Sequence, residues 1–327
     1  MVKHRLAIVV PSYNEEQVLH ETTLRLTQIL DDLVNNELVS SDSYILYVND
    51  GSTDNTWDLI CEFHKTNKYV NGVNLAGNVG HQNALIAGLS SVVDYCDIAI
   101  TIDADLQDDV NAIREMVEKY VEGCDIVYGV RKNRQADTLF KRNTALGFYS
   151  VMKMMGVKSV YNHADFRLMS KRALSQLLLY RERNLFLRGM VPTIGYKTGC
   201  VYYNRTERFA GESKYPLMKM INFAFDGITS FSIKPVRMLL FFGLIFILVA
   251  MGILVFVFYS LAIGQVVRGW TSLMLSIWFC SGWVLLGMGI LGEYIGKIYI
   301  EVKDRPRYNI ECILSHDNEI KIKTDII

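Results

Sequence analysis

Two carboxylates one residue apart, in Asp103-Ala-Asp105-Leu-Gln107, stand directly after the apolar run Ile98–Ile102. In extended chain, positions i and i+2 project to the same side, so the two charges repel unless protons or a cation come between them. A divalent ion is the economical answer. Mg²⁺ or Mn²⁺ takes oxygen ligands and shares its shell between one or two carboxylates and substrate phosphates. Gln107 offers a further, neutral oxygen. A DxD string alone is weak, because acidic triplets are frequent on solvated loops.

Its surroundings strengthen it. Pro11-Ser-Tyr-Asn-Glu-Glu16 follows one strand-like run and Val48-Asn-Asp-Gly-Ser-Thr-Asp54 ends another. Asp50 or Glu15 can accept hydrogen bonds from a base or ribose, Gly51 permits a tight turn, and Ser52-Thr-Asp54 can cap the next helix. Asp54 is as good a helix cap as a ligand contact. A third loop, Asn78-Val-Gly-His81, opens a helical stretch at Gln82, and the amides of the loop can face phosphates.

Up to about residue 210, short β-branched runs alternate with amphipathic stretches, the pattern of an α/β domain with a mainly parallel sheet. The strands expected are Leu6–Val10, Tyr44–Val48, Val73–Leu75, Ile98–Ile102 and Ile126–Val130. In such a sheet ligands sit beyond the carboxyl ends of the strands, where each of these motifs falls.

Half of the 327 residues are apolar and the formal net charge is zero, which removes the electrostatic case for a nucleic-acid binder. The six cysteines are scattered without a CxxC pair, so neither a zinc knuckle nor a disulfide framework is indicated. No Walker A string or GxGxxG occurs, and the N-terminus lacks the h-region of a cleavable signal peptide. His163 beside Asp165 is a lone histidine, more often structural than a proton shuttle. Asn204-Arg-Thr206 fits a sequon, which a cytoplasmic location would silence.

Met238 to Gly264 contains no charged residue, and a second apolar run spans Thr271 to Gly292. Each exceeds the roughly 20 residues needed to cross a bilayer, and the short connector makes them a transmembrane hairpin. Lys and Arg flank the pair on both outer sides against a lone Arg268 between, which puts both termini in the cytoplasm. The stretch Tyr215–Phe231 suits a helix lying in the interface or a plain connecting helix.

Taken together, the PSYNEE, VNDGSTD, NVGH and DADLQD strings resemble family-2 glycosyltransferases with the GT-A fold, in the polyprenyl-phosphate branch. Gly129-Val-Arg131, Ala164-Asp-Phe-Arg-Leu168, Phe186-Leu-Arg-Gly189, Arg205 through Lys214, the two spans, Gly292–Lys297 and Asp304–Tyr308 carry the likeness further. It is similar to bactoprenol glucosyltransferases and dolichyl-phosphate mannosyltransferases. The likeness implies a Rossmann-like domain over 1–212, a juxtamembrane amphipathic region over 213–234, a hairpin over 235–296 with spans about 238–262 and 271–292, and a cytoplasmic tail over 297–327.

By the same resemblance, Pro11, Tyr13, Glu15, Asp50 and Asp103 frame the nucleotide sugar. Asp103, Asp105 and Gln107 surround the metal, and Asp165 joins Asp103 at the reacting centre. Arg131, Arg205 and Lys214 bind phosphate groups. His81 departs from the lysine common in its loop. The expected reaction is inverting transfer of one sugar, glucose from UDP-glucose first, to undecaprenyl phosphate at the inner or plasma membrane, by a possible homo-oligomer. The metal would neutralise charge on the leaving diphosphate. A phosphate acceptor, with a second pKa of about 6, scarcely needs a base, so Asp165 is expected to position groups or to stabilise positive charge on the sugar, and Arg167 to pair with it. The rivals are a processive polysaccharide synthase, for which a QxxRW string is missing, and a non-enzymatic membrane scaffold or transport subunit.

Overall fold

The structure is a computed structural model that describes residues 3–132, 163–183, 185–204, 234–263 and 269–316. It divides into two compact units. The first carries the sheet and takes up the chain again from Arg305, and the second contains the two long apolar helices.

In the first unit, β1 (Leu6–Ser12), β2 (Tyr44–Asn49), β3 (Val70–Leu75) and β4 (Ile98–Thr101) are separated by α1 (Leu19–Asn35), α2 (Thr56–Thr66) and α3 (His81–Val92). After α4 (Ala112–Val121) come β5 (Ile126–Arg131), β6 (His163–Ser170), α5 (Lys171–Leu178), the short α6 (Leu187–Met190) and β7 (Thr198–Tyr203). The last strand is β8 (Ile310–Leu314), and the order across the sheet is β7-β5-β6-β4-β1-β2-β3-β8.

Every residue of β1 is buried, as expected of a strand covered on both faces. Its alternation divides the layers. Leu6, Ile8 and Val10 join Leu26, Leu30 and Leu33 of α1, Ile60 and Phe63 of α2, and Ile113, Met116 and Val117 of α4 in one core. Each such fully buried side chain stabilises the fold by about 1.5–3 kcal/mol. Val9 points the other way, toward α3. There a Cβ on Gly88 would lie 2.5 Å from Val9 Cγ1 and 2.7 Å from Val48 Cγ2, so a helix this close to the sheet requires glycine.

All five expected strands are present, β1, β2, β3 and β5 longer than expected by one to three residues and β4 shorter by one. The sheet is nevertheless mixed rather than mainly parallel. β1–β2, β1–β4, β2–β3 and β5–β7 pair parallel, while β3–β8, β4–β6 and β5–β6 pair antiparallel. β6 lies between β4 and β5 against their direction, and β8 adds antiparallel to the edge at β3. Neither shows a run of β-branched residues. Asp165 and Arg167 interrupt β6, and Glu311 and Cys312 interrupt β8.

The second unit holds α7 (Lys234–Ala262) and α8 (Trp270–Val302). They touch through aromatic rings, Phe242 with Trp283 at 5.6 Å and Phe246 with Phe279 at 6.0 Å between centroids. Among the described residues, Phe279–Val302 is the stretch long and apolar enough to cross a membrane, with mean hydropathy 1.3 and none of its most apolar window buried. The juxtamembrane segment 213–233 and the connector 264–268 lie outside the described residues.

Candidate active site

Because β1 to β4 are parallel neighbours, their carboxyl ends share one edge of the sheet, and the loops that follow converge there. The first two loops are laced together. Asn14 N donates to Ser52 Oγ at 3.0 Å, Glu15 N to Thr56 Oγ1 at 2.9 Å, and Thr53 N to Asn14 Oδ1 at 2.8 Å. Asn14 itself sits at φ 55°, a conformation asparagine tolerates better than most residues. Asp54 accepts from Thr56 N at 3.0 Å, just ahead of α2, and from Glu16 N at 3.2 Å, so its carboxylate ties the two loops together. Pro11 is buried at the end of β1, Glu15 is partly buried, and Tyr13 is 47% exposed.

Asp50 is 3% exposed, and its two oxygens accept from Val79 N at 2.7 Å and Gly80 N at 3.0 Å. Two of the amides that the sequence offered to a phosphate are therefore used to fasten the β2 and β3 loops together. Burial raises the Asp50 pKa against the pull of those amides. The loops meet so closely that a Cβ on Gly51 would lie 2.5 Å from Asn78 N, and Gly51 is also at φ +63°.

β6 explains how Asp165 reaches the same edge. Thr101 pairs with Arg167 in antiparallel register, so the chain two residues back on β6 lies beside the chain two residues on past β4. Thr101 Oγ1 donates to the Asp165 carbonyl at 2.5 Å. The Asp165 carboxylate receives Arg167 Nη2 at 2.5 Å on Oδ1, and Arg188 Nε and Nη2 at 3.4 and 3.1 Å on Oδ1 and Oδ2. Arg167 is 1% exposed and also donates to Leu187 O at 3.3 Å, while Leu187 N donates to Gln82 Oε1 on α3 at 3.0 Å. β6 and α3 thus hold the Phe186–Gly189 segment that delivers Arg188.

His81 bridges the acidic groups, with Nε2 3.5 Å from Asp103 Oδ1 and 3.7 Å from Asp165 Oδ2. Burial disfavours the imidazolium, yet the two carboxylates outweigh it and raise the His81 pKa. Burial, helped by the charges of Asp165, Asp108 and Asp105 and opposed by His81, pushes Asp103 up to about 6. Burial would also raise Asp165, but Arg188, His81 and Arg167 prevail and hold it well below the usual carboxylate range.

The turn that carries the acidic string is sharp. Leu106 is at φ 56°, an uncommon conformation for a leucine, and Gln107 N donates to Asp105 Oδ1 at 3.2 Å. Asp103, Asp105 and Gln107 offer oxygen ligands, and that chemistry fits a hard divalent cation. Among the described residues no group of three His, Cys, Asp or Glu side chains forms a complete metal cage. An ion that completes its shell with substrate phosphate and water matches that arrangement.

Arg131, expected at a phosphate, donates Nε and Nη2 to Asp108 Oδ1 at 3.1 and 2.8 Å, and Tyr203 donates its hydroxyl to the same oxygen at 2.6 Å. It lies at the carboxyl end of β5 with that carboxylate already engaged. Arg205 and Lys214 lie outside the described residues. Arg188 was not among the candidates. The Phe186–Gly189 string is its only sequence signal, and its partner Asp165 is 23 positions away.

The chain that builds this mixed sheet, with acidic and basic loops at one edge, is a glycosyltransferase by its family and its relatives. The chain belongs to glycosyl transferase family 2, whose family model matches residues 7–178. It is 54% identical to the Bacillus subtilis uncharacterized glycosyltransferase YkoT, over 95% of this chain and 93% of that protein. It is 38% identical to the Escherichia coli prophage bactoprenol glucosyl transferase homolog, over 94% of this chain and 99% of the relative. Among solved structures, glucosyl-3-phosphoglycerate synthase of Mycobacterium tuberculosis with Mn²⁺, UDP and glucosyl-3-phosphoglycerate aligns with TM-score 0.45 and 15% identity, covering 69% of this chain and 78% of that one.

Proposed function

We propose that the protein transfers a single glucose, with inversion, from UDP-glucose to a polyprenyl phosphate such as undecaprenyl phosphate at the cytoplasmic face of a membrane. The observation that carries the acceptor class is the clamp on Asp165. A carboxylate gripped by Arg167 and Arg188 is a poor base for a sugar hydroxyl, which must lose its proton to attack. A phosphate monoester, with its second pKa of about 6, arrives already ionised. The chain-long likeness to a bactoprenol glucosyl transferase homolog, which extends past both apolar helices, supports the same acceptor.

In this reading Pro11, Tyr13, Glu15 and Asp50 frame the nucleotide, Asp50 by fixing the loop at Val79 and Gly80. Asp105 and Gln107, with Asp103, would hold Mg²⁺ or Mn²⁺, which supplies charge neutralisation at the leaving diphosphate. Asp165 stabilises the positive charge that develops on the sugar, and Arg188 holds it in place. Arg131, Arg205 and Lys214 serve phosphate groups. Residues 1–212, completed by β8 from the tail, form the catalytic domain, 213–234 lie at the interface, spans about 238–262 and 271–292 form a hairpin, and both termini are cytoplasmic by the positive-inside rule.

The test is incubation of the full chain with undecaprenyl phosphate, Mg²⁺ or Mn²⁺ and a panel of UDP- and GDP-sugars, followed by mass spectrometry of the lipid. A gain of one hexose from UDP-glucose is expected. A polymer would transfer the protein to the synthase class, and an unchanged lipid would overturn the acceptor.

A further inference from the structure

We infer that Glu311, which follows the apolar helices in sequence, is a positioning residue for the donor end of the site, acting through a row of side-chain amides across the edge of the sheet. The inference rests on the reading that the loop after β2 frames the nucleotide.

The two asparagines of the row are in register, and Glu311 falls where the register of β3 and β8 shifts, between the Asn74–Cys312 and Leu75–Ile310 pairs. Asn49 pairs with Asn74 between β2 and β3, and Asn74 pairs with Cys312, the neighbour of Glu311, between β3 and β8. Glu311 Oε2 accepts from Asn74 Nδ2 at 2.6 Å, and Asn74 Oδ1 accepts from Asn49 Nδ2 at 2.7 Å. Asn49 Oδ1 then accepts from Ser52 N at 3.4 Å, and Ser52 Oγ accepts from Asn14 N at 3.0 Å. The row begins at the tail and ends in the two loops that frame the nucleotide.

Its direction is set at one end. A carboxylate accepts, whereas an amide can turn either face. With Glu311 in place, Asn74 must direct its NH₂ outward and its oxygen inward, which obliges Asn49 to do the same and leaves an oxygen for Ser52 N. Asn49 is only 3% exposed, so water cannot readily repair a reversed amide there. The tail is fastened well enough to hold the setting. Ala76 N donates to Asn309 O at 2.9 Å, Arg307 Nη2 to Tyr180 O at 2.6 Å, and His316 N to Asn71 Oδ1 at 3.1 Å, while His316 stacks on His64 at 3.9 Å.

A lysine at 311 can only donate. It would turn Asn74 and then Asn49, and bring two donors together at Ser52 N. Its charge by itself would tighten an anionic donor, so weaker binding would run against the electrostatic effect of the substitution. The experiment uses the full chain in detergent with Mn²⁺, with UDP affinity measured by calorimetry beside KM and kcat for the sugar donor. Glu311→Lys is expected to raise the UDP Kd and donor KM about 3–10-fold with kcat unchanged, and Glu311→Gln, which still offers an acceptor, to stay within about twofold. Adding Glu311→Lys to Asn74→Ala should produce no further loss. Matched melting midpoints exclude unfolding as the cause. Wild-type UDP affinity in Glu311→Lys, or an equal loss in Glu311→Gln, overturns the inference. Asp50→Ala separates the failures: weaker UDP binding there but not in Glu311→Lys sinks this inference alone, and no change in either sinks the placement of the nucleotide as well.

Discussion

Arg188 meets both carboxylate oxygens of Asp165, Nε at 3.4 Å from Oδ1 and Nη2 at 3.1 Å from Oδ2. With Arg167 already on Oδ1, the carboxylate is fixed in place and in charge. Asp165→Asn keeps the shape and removes the charge, so kcat should fall by about 10²–10³-fold, the scale of losing one preorganised electrostatic group. Donor KM should move little. Turnover within a few-fold of wild type at saturating donor would remove Asp165 from the chemistry.

Arg188→Ala frees one side of that carboxylate while buried Arg167 remains. A loss of about 10-fold in kcat is expected, smaller than for Asp165→Asn because one guanidinium still orients it. In the Asp165→Asn background the same change should cost almost nothing further, which steady-state kinetics on the double variant will check.

Removal of metal by EDTA should abolish turnover and weaken UDP binding together, since an ion shared between Asp105 and the diphosphate contributes to both. Calorimetry with and without Mn²⁺ reads the binding effect without reference to turnover. In Asp105→Ala the Mn²⁺-dependent gain in UDP affinity should disappear.

Gly51→Ala places a methyl 2.5 Å from the Asn78 backbone nitrogen at φ +63°. The backbone conformation alone costs about 1–2 kcal/mol, and the contact falls on main chain that cannot move aside cheaply. A lower melting midpoint and weaker UDP binding are expected together, because the strained junction is the one between the two donor loops.

Away from the site, Asp125 accepts from Ser170 Oγ at 2.9 Å and from Arg172 Nε at 2.5 Å. The hydrogen bond from Arg172 is the main reason its pKa lies below the ordinary 3.8, with burial opposing and Ser170 assisting. A carboxyl depressed on folding contributes stability that is complete above its unfolded value and is lost as pH falls through the folded one. The melting midpoint of the wild type should therefore drop more steeply below about pH 4 than that of Asp125→Asn, and should be the higher of the two at pH 7. Parallel curves would rule out the pairing as a source of stability.

The part of the fold visible in sequence is the part built by local pattern. β1, β2, β4 and β5 are continuous apolar runs because both faces are covered, and their following loops carry the glycines and acids that the chemistry needs. β6 escaped because its buried face includes Arg167, a residue type that is almost never fully buried unless paired, and the pair is made only after the strand is in place. The acidic turn stands out as a candidate site from its spacing. The engagement of Arg131 by Asp108 and Tyr203, and the arrival of Arg188 at Asp165, depend on contacts between distant segments that no periodicity records.

A sheet that opens with Leu6 and receives an edge strand only at Ile310–Leu314 cannot be completed until nearly the whole chain has been made. Domains ordinarily fold as they leave the ribosome, N-terminal part first. Here the edge of β3 stays unpaired until both apolar helices have been synthesised, an exposed rim of the kind that invites aggregation. Completion of the catalytic sheet is thereby timed to follow synthesis of the apolar helices, and a chain stopped after Tyr203 would lack the last strand of its own sheet.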